Sequence, residues 1–328
     1  MVIVLRLFGT IERGVCYIHK TKTEMTKWIA DRISDLTGKM VLITGGASGI
    51  GYAAAVKLAG KGADVVLAVR TLEKGEKAAA RVKESNPSAK VSVMHLDLGD
   101  LESVRQFAQQ VALKYNKLDI LINNAGVMVP PYRKTEQGFE LQFGVNHLGH
   151  FALTGLLLPL LSATPGSRIV TVSSIAARKA KINFDNLDGS KGYNPMTFYR
   201  QSKLSNLLFA IELQNRLQGA RNSLISIACH PGISATNLVS RGSGKEAGWL
   251  VKQLMKLFIQ SAEMGSLPTL YAATDPALKG GEYIGPEGWQ GHGGHPVITD
   301  EAKKLFNPEL AAKLWEVSEK LTGVQFPQ

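Results

Sequence analysis

The feature that most constrains the fold is an alternation of short apolar segments with longer amphipathic ones. The apolar segments are rich in Val, Ile and Leu and contain few charges, as expected of strands that are buried on both faces. The six predicted strands are Met40–Thr44, Asp64–Val69, Val91–Leu96, Asp119–Asn123, Arg168–Ser173 and Ser223–Cys229. The helices predicted between them are Ile50–Ala59, Leu72–Ser85, Leu101–Tyr115, Glu136–Leu161 and Met196–Leu217. Repeated strand–helix units connect by right-handed crossovers, so the pattern predicts a doubly wound α/β fold, with helices on both faces of a parallel sheet.

The remaining chain extends this arrangement without dividing it. Gly280–Ile284 is a short additional strand candidate, and Asn307–Leu321 is a helix candidate with Asn307 as its N-cap. Because no linker or composition break appears, we expect residues 25–328 to form a single domain with about seven strands. Residues 1–24 lack periodicity and are predicted to be a non-contributing tail, with Met25 as an alternative start.

Residues 233–262 depart from the alternation. A polar Gly/Ser stretch at 240–244 precedes an apolar-faced helix candidate that carries Leu250, Leu254 and Phe258. Segments inserted beyond the carboxyl end of a strand often cover the ligand of an open α/β sheet, which predicts a substrate-binding lid. A peripheral helix that completes the core is an equally open alternative.

The charge and cysteine content restrict the partners and the compartment. The formal net charge is +11, from 38 Lys and Arg against 27 Asp and Glu, but the basic residues form no dense block. This spread favours a solvated surface over a nucleic-acid partner. The two cysteines, Cys16 and Cys229, indicate no disulfide framework. The longest apolar run, Leu156–Leu161, is too short for a membrane span and contains a proline. We therefore expect a cytoplasmic protein without a transmembrane segment.

A glycine-rich turn, Thr44–Gly51, connects the first predicted strand to the first predicted helix. Gly45, Gly49 and Gly51 allow the backbone to turn sharply and to approach a pyrophosphate, whose charge is stabilised by the helix N-terminus. The spacing is one residue longer than that of the commonest dinucleotide fingerprint, so the match depends on its strand-to-helix context. That context is present, and the turn predicts a dinucleotide site.

The end of the second predicted strand indicates which dinucleotide is bound. Arg70 stands where an acidic residue would select NAD, and it is suited to a 2′-phosphate; Ser48 could assist from the glycine-rich turn. A solvated arginine is the alternative. The pattern favours NADP(H) over NAD(H).

Two further segments follow predicted strands at the edge where cofactors lie. Asp97 and Leu98 follow the third strand and are candidates for the adenine end of the cofactor. Asn124, Ala125 and Gly126 follow the fourth strand and allow close backbone approach. Ordinary turn formation explains either segment equally well on residue type alone.

Tyr199 and Lys203 are four residues apart in a predicted helix and therefore share one face. A phenol has a pKa of about 10, too high for acid–base work at neutral pH. A positive charge about 4 Å away is worth roughly 4 kcal/mol at an effective dielectric near 20, enough to lower that pKa by about three units. The pair is a candidate proton donor and acceptor. A core aromatic beside a solvated cation is the alternative, because the spacing is common.

These motifs occur together in the order typical of one family. The matching residues are Thr44–Gly51, Asp97, Asn123–Gly126, Asn146, Ser174, Tyr199 with Lys203, and Pro231 and Gly232 with Thr236. The chain resembles the short-chain dehydrogenase/reductase family over roughly residues 38–322. The resemblance implies a Rossmann-type fold. Tyr199 follows Ser174 by 25 positions, about twice the usual interval; this insert, with the segment 314–319, is similar to the retinol-dehydrogenase-like branch.

The resemblance also implies roles for individual side chains in hydride transfer between nicotinamide and a carbonyl or alcohol carbon. Tyr199 gives or takes the hydroxyl proton, and Lys203 lowers its pKa and holds the nicotinamide ribose. Ser174 binds the substrate oxygen, and Asn146 holds a water that relays protons. The implied cofactor-binding residues are Thr44, Gly45, Ser48, Gly49, Ile50, Gly51, Arg70, Asp97, Leu98, Asn124, Ala125, Gly126, Tyr199, Lys203, Pro231, Gly232 and Thr236.

The sequence thus predicts an NADP(H)-dependent oxidoreductase acting on a small-molecule carbonyl or alcohol, with a lipophilic substrate. The alternatives are a non-catalytic NADP-sensing protein on the same fold and a nucleotide-sugar epimerase-like enzyme. No metal is expected: His147 and His150 are predicted to pack within a helix, and His292 and His295 are too few ligands for a metal site. A homo-oligomer is left open by analogy with relatives.

Overall fold

The computed structural model describes residues 27–218, 223–233 and 261–326. These residues form an eight-stranded sheet with helices on both faces. The strands are β1 Met40–Thr44, β2 Asp64–Val69, β3 Lys90–His95, β4 Ile120–Asn123, β5 Arg168–Val172, β6 Ile225–Cys229, β7 Tyr283–Pro286 and β8 Pro296–Ile298. The helices are α1 Gly49–Gly60, α2 Leu72–Ser85, α3 Leu101–Lys114, α4 Leu141–Ser162, α5 Pro195–Leu217, α6 Ala262–Thr274, α7 Glu301–Leu305 and α8 Pro308–Thr322.

The strand order confirms the predicted doubly wound, Rossmann-type sheet. The order is β3-β2-β1-β4-β5-β6-β7-β8, and all neighbouring pairs are parallel except the last. The chain begins at β1, winds outward to β3 and then crosses back to β4. Strand order therefore reverses between β1 and β4, where open α/β sheets bind their ligands at the carboxyl edge.

Alternation along the buried strands builds a core on each side of the sheet. Val41 and Ile43 of β1 face one core, together with Leu58 of α1. Leu42 faces the other core, with Phe107 of α3 and other residues of α3 and α4. Successive strand side chains point to opposite faces, so a sheet covered on both sides requires apolar residues at every position.

The last two strands differ most from the prediction, whereas the boundaries of β3, β4, β5 and β6 shift by only one or two residues. β7 begins at Tyr283 rather than Gly280, because Gly280 and Gly281 have φ of 97° and 84° and form a turn. β8 was not predicted. It has only three residues, begins with a proline and pairs antiparallel with β7 at the sheet edge, so it carries little pattern of its own.

Helix α4 begins later than predicted and is interrupted by a widened turn. Lys134 pairs with Glu140 in an isolated β-bridge, and the Glu140 carboxylate accepts a hydrogen bond from the Phe143 N–H at 2.8 Å, which starts the helix at Leu141. Within α4, residues Gly144–Leu148 form a π-helical turn. By length and composition α4 could cross a membrane, although 78% of its most apolar window is buried inside the molecule. Core helices of soluble proteins pass the same test, so this is weak evidence for a span.

The C-terminal segment closes the outer face of α4 and α5. Asn307 caps α8 as predicted, its Oδ1 accepting the Leu310 N–H at 2.8 Å. Trp315 and Phe326 pack against the rings of Phe151 and Phe209. A Cβ on Gly155 would lie 2.7 Å from Val324, so glycine allows this close approach.

Several predictions fall outside the described residues. They include the tail 1–24, the start at Met25, Cys16, Thr236 and nearly all of the predicted lid at 233–262.

Candidate active site

The predicted site residues come from several loops that meet at the carboxyl edge of the sheet. The glycine-rich turn follows β1, Asn124–Gly126 follow β4, and Ser174 follows β5. The catalytic-pair candidates lie on α5, which packs beside β5 and β6. The reversal of strand order between β1 and β4 opens the crevice that these loops line.

The glycine-rich turn is shaped by positions that accept only glycine. Gly45 and Gly49 have φ of 68° and 59°, in the left-handed region that favours glycine. A Cβ on Gly51 would lie 2.5 Å from the Asn124 Nδ2. Ser48 is the exposed N-cap of α1, and its hydroxyl makes no capping hydrogen bond. The N-terminus of α1 is therefore arranged to receive an anion.

Thr44 lies beneath this turn and holds it to the loop after β4. Its hydroxyl accepts the N–H groups of Asn124 and Ala125, each at 2.9 Å, and its carbonyl accepts the Asn124 Nδ2 at 2.8 Å. Thr44 is fully buried. Its side chain therefore positions the loops that would contact a dinucleotide instead of lining the crevice itself.

The other predicted cofactor residues divide into exposed and internal positions. Arg70 is exposed directly after β2. The Asp97 carboxylate accepts the Gly99 N–H at 2.8 Å, and Leu98 is a buried core residue, as is Ile50. The side chains of Leu98 and Ile50 are therefore almost inaccessible to solvent.

The loop after β6 also reaches the crevice edge. Pro231 and Gly232 are half-buried there, and Gly232 has a φ of 71°. The Gly232 N–H donates to the His230 Nδ1 at 3.2 Å.

Tyr199 and Lys203 are buried one turn apart on α5. The Lys203 Nζ lies 6.0 Å from the centre of the Tyr199 ring and donates to the Val172 carbonyl at 3.0 Å. Burial lowers the pKa of Lys203 to about 8. Burial raises the pKa of Tyr199, and a hydrogen bond with Ser174 acts in the opposite direction. The expected lowering of the Tyr199 pKa by Lys203 is not seen in this structure, because removal of the phenolate from water outweighs the other contributions.

The two adjacent serines have different surroundings. The Ser173 hydroxyl is buried and donates to the Lys203 carbonyl at 2.7 Å. The Ser174 hydroxyl is half-buried, interacts with Tyr199 and accepts the Ala176 N–H at 3.2 Å. Ser174 is the serine that remains available to a bound ligand.

Asn146 lies in the π turn of α4, a feature often found at functional sites. Its side chain clamps the Val127 backbone, since Oδ1 accepts the Val127 N–H at 2.8 Å and Nδ2 donates to the Val127 carbonyl at 2.9 Å. A Cβ on Gly126 would lie 3.2 Å from the Asn146 Oδ1 and 3.6 Å from the Lys203 Nζ. Asn146 and Lys203 therefore converge beside Gly126.

The sequence prediction missed Gln142, one turn before Asn146. Gln142 is fully buried; its Oε1 accepts the Val129 N–H at 2.8 Å and its Nε2 donates to the Pro195 carbonyl at 2.9 Å. Val129 has a φ of 53°, which is strained for a β-branched residue. Gln142 thus ties the loop after β4 to the start of the helix that carries Tyr199. A buried amide between Leu141 and Phe143 has no distinctive spacing, so no sequence signal marks it.

Arg178 was also missed as a site-supporting residue. Its guanidinium forms a two-pronged contact with the Glu301 carboxylate, including a 2.9 Å bond from Nε, and donates to the Gln290 carbonyl at 2.7 Å. The bond to Gln290 connects the segment after Ser174 to the loop that follows β7, and the contact with Glu301 connects it to the start of α7 after β8. The part of the chain that the structure describes contains no cluster of three or more His, Cys, Asp and Glu side chains that could hold a metal.

The residues present fit a nicotinamide dinucleotide. The glycine-rich turn and Gly126 provide a cradle that side chains would fill, and an uncapped helix N-terminus stands above it. A model of the short chain dehydrogenase family matches residues 39–245. The chain belongs to this family. It is an oxidoreductase that acts on alcohol or carbonyl groups, and its family uses NAD(P)(H).

Named relatives share most of its length. Human retinol dehydrogenase 14 is 40% identical over 306 residues, covering 88% of this chain and 87% of the relative. Human retinol dehydrogenase 12 is 39% identical over 331 residues, covering 98% of this chain and all of the relative. The crystal structure of a protein from Mycobacterium paratuberculosis is 41% identical and superimposes with a TM-score of 0.75 over 92% of this chain and 100% of that one. The NADPH complex of a short chain dehydrogenase from Escherichia coli CFT073 is 26% identical, with a TM-score of 0.59 over 76% of this chain and 97% of that one.

These relatives correct one prediction. The expected cytoplasmic location is wrong, because the similar retinol dehydrogenases 11, 13 and 14 are membrane-associated proteins. The even charge distribution and the lack of a disulfide pattern were insufficient grounds, since neither property distinguishes a protein of the cytosol from one attached to the cytosolic face of a membrane. The resemblance to the retinol-dehydrogenase-like branch is confirmed.

Proposed function

We propose that this protein is an NADP(H)-dependent dehydrogenase/reductase that interconverts a lipophilic alcohol and its carbonyl compound, with Tyr199, Lys203, Ser174 and Asn146 at the reacting end. The observation that carries the proposal is the convergence of these groups beside Gly126. Lys203 and Asn146 approach the position of a Gly126 Cβ to within 3.6 Å, and Tyr199 interacts with Ser174.

The side chains divide the work of one proton transfer. Bound nicotinamide supplies or receives the hydride. The Ser174 hydroxyl is available to hold the substrate oxygen, and the Tyr199 hydroxyl, which already interacts with Ser174, can give that oxygen a proton during reduction or take one during oxidation. Lys203, whose Nζ lies 6.0 Å from the centre of the Tyr199 ring, is assigned to hold the nicotinamide ribose beside Gly126.

A lipophilic substrate is supported by the named relatives and by the burial of the site. Retinol dehydrogenases 14 and 12 are about two-fifths identical to this chain over most of its length. The candidate proton donor is only 8% exposed, so water has little access to it. A site of this kind suits an apolar alcohol or aldehyde better than a small charged hydroxy acid.

The catalytic part of the proposal is tested with Tyr199→Phe, which keeps the ring and removes the transferable proton. NADPH oxidation is followed over a panel of isoprenoid, aromatic and small charged carbonyl compounds. We expect turnover with the lipophilic aldehydes, and a loss of at least about a hundredfold in Tyr199→Phe. NADPH binding, measured by fluorescence titration, should stay within about threefold of the native value. Equal activity of the two proteins would refute the role of Tyr199, and a preference for charged substrates would refute the substrate class.

The cofactor preference rests on Arg70, which is exposed at the carboxyl end of β2 with no acidic residue beside it. Arg70→Ala, which removes this charge, should weaken NADPH binding by about tenfold or more and leave NADH binding nearly unchanged. Lys83→Ala is the matched control, because Lys83 is an exposed cation on the following helix α2. If Arg70→Ala alters the two cofactors equally, or if Lys83→Ala has the same effect, the assignment of NADP(H) fails.

A further inference from the structure

His150 bridges the glycine-rich turn and the π turn of α4. It is fully buried, with its Nε2 2.8 Å from the Thr44 hydroxyl and its Nδ1 2.9 Å from the Asn146 carbonyl. None of the residues on which the family resemblance rests is this histidine, and the sequence predicts only that it packs within a helix.

The hydrogen-bond inventory of Thr44 fixes the tautomer of this ring. The Thr44 hydroxyl already accepts two N–H groups, from Asn124 and Ala125, so its two lone pairs are occupied. Its single proton must be donated, and the His150 Nε2 at 2.8 Å is a closer acceptor than the Ile122 carbonyl at 3.4 Å. Nε2 therefore carries no proton, and Nδ1 carries the one that it donates to the Asn146 carbonyl. Burial lowers the pKa of His150 to about 4, which agrees with a neutral ring.

The bond from Nδ1 acts on the turn that orients Asn146. In this π turn the Gly149 N–H bonds to the Gly144 carbonyl five residues back. The Asn146 carbonyl receives the His150 ring as a donor. The side chain of the same Asn146 bonds to the Val127 backbone. The His150 ring is therefore linked through Asn146 to Val127 and, at its other nitrogen, to Thr44.

We propose that His150 is a positioning residue that couples the dinucleotide-binding turn to the catalytic π turn, with Nε2 fixing Thr44 and Nδ1–H fixing the backbone of Asn146. Through Thr44 it orders the Asn124–Ala125 segment against the glycine-rich turn. Through Asn146 it orders the Val127 backbone, which follows the Gly126 that Lys203 approaches. This inference rests on the proposed function, because it assigns His150 to the same site.

Two amide substitutions separate the two bonds. In His150→Asn the side-chain amide can occupy the place of Nδ1–H and lacks the reach to Thr44; in His150→Gln the amide reaches the place of Nε2 and gives up the bond to Asn146. We expect His150→Asn to weaken NADPH binding by about tenfold with kcat within about twofold. We expect the reverse for His150→Gln: a roughly tenfold lower kcat with nearly unchanged NADPH binding. Tenfold corresponds to about 1.4 kcal/mol, the scale of one lost hydrogen bond.

His147 provides the control on the same helix. It is equally buried, but its Nε2 contacts the Ser318 hydroxyl of α8, at 2.8 Å, and not the crevice. His147→Phe should lower the melting temperature without changing NADPH affinity or kcat, whereas His150→Phe should change both. The proposal is overturned if, in each of His150→Asn and His150→Gln, NADPH affinity and kcat fall by the same factor and that factor follows the loss in melting temperature. Such a result would show a general structural effect and no separation of the two bonds.

A measurement on the unmutated protein keeps the inference testable if the variants do not fold. Nitrogen-15 NMR of histidine-labelled protein distinguishes a ring protonated at Nδ1 from one protonated at Nε2. The Nδ1–H form at pH 7 supports the proposal, and the Nε2–H form refutes it. Neither this readout nor NADPH affinity requires turnover, so failure of the coupling is distinguishable from failure of the catalytic assignment, which Tyr199→Phe tests separately.

Discussion

The Lys203 ammonium donates a hydrogen bond to the main-chain carbonyl of Val172, the last residue of β5, at 3.0 Å. This bond connects α5 to the strand that leads into Ser174. It also keeps a cation inside the protein, where burial lowers its pKa from 10.5 to about 8. A buried charge of this kind makes stability depend on pH.

The first prediction concerns that pH dependence. Below pH 8 both the folded and the unfolded chain carry the Lys203 proton, so the cost of burying the charge is fully present. Between about pH 8 and 10.5 the folded protein has released the proton and the unfolded chain still binds it, so this group makes stability rise with pH. Relative to Lys203→Met, the native protein should gain on the order of 3 kcal/mol between pH 7.5 and 10.5.

Urea unfolding of both proteins across this range measures the difference. Lys83→Met is the control, because Lys83 is exposed and its substitution should give a pH-independent offset. Parallel stability curves for the native protein and Lys203→Met would show that Lys203 is not desolvated as the structure indicates.

The second prediction compares two glycines at opposite ends of α1. A Cβ on Gly51 would lie 2.5 Å from the Asn124 Nδ2 and 2.8 Å from the Gly45 carbonyl, whereas a Cβ on Gly60 meets nothing closer than 3.8 Å. Gly51→Ala should therefore push the turn away from the loop after β4 and weaken cofactor binding by tenfold or more. Gly60→Ala should bind cofactor normally and gain up to about 1 kcal/mol from helix propensity. Cofactor titration and urea unfolding measure both effects, and normal binding by Gly51→Ala would contradict the close packing.

The third prediction concerns the strained loop that Gln142 holds. Gln142→Leu leaves the half-buried Val129 N–H and Pro195 carbonyl without their present partners, at a cost of about 1 kcal/mol for each lost hydrogen bond. Because the same bonds connect the loop after β4 to the start of α5, we also expect the KM for the carbonyl substrate to rise. Melting temperature and steady-state kinetics are the measurements.

Val129→Gly tests the strain itself. Glycine adopts a φ of 53° without cost, so the relief should offset most of the lost side-chain packing and leave stability within about 1 kcal/mol of the native value. Val127→Gly, at a neighbouring position without positive φ, should be clearly more destabilising. The reverse order would show that Val129 is not strained.

The fourth prediction concerns the contact between Arg178 and Glu301. Both side chains are about one-quarter exposed, so the pair is screened less than a surface ion pair. In a double-mutant cycle with Arg178→Met and Glu301→Gln we expect a coupling energy of about 1–2 kcal/mol. Each single variant should also raise the KM for substrate, because the segment after Ser174 is released from the loops beyond β7. A coupling near zero would show that the contact does not stabilise this edge of the site.

Much of the scaffold could be predicted because its signals are local. A buried parallel strand needs apolar residues on both faces, and the turn from β1 to α1 needs glycine where φ is positive, so both appear as short patterns. Ser174 was assigned only through the family resemblance, and the alternation of side chains at the end of β5 adds that Ser174 and Ser173 point to opposite faces. The structure gives those two hydroxyls the distinct surroundings that alternation predicts.

The supporting contacts could not be predicted because they join distant parts of the chain. The bond between His150 and Thr44 spans 106 positions, and the contact between Arg178 and Glu301 spans 123. Whether a buried histidine packs, binds a metal or bridges two turns depends on what the fold brings next to it. The predicted lowering of the Tyr199 pKa was wrong for a related reason. The helical spacing of Lys203 was visible in the sequence, but the burial of the phenol was not.

The seating of Val324 and Phe326 against Gly155 has a consequence for shortened forms of the protein. A variant cut before Gly323 loses the ring of Phe326 from Phe151 and Phe209 and keeps only Trp315 against them. Such a variant should expose an apolar patch on α4 and α5 and associate with further copies of itself.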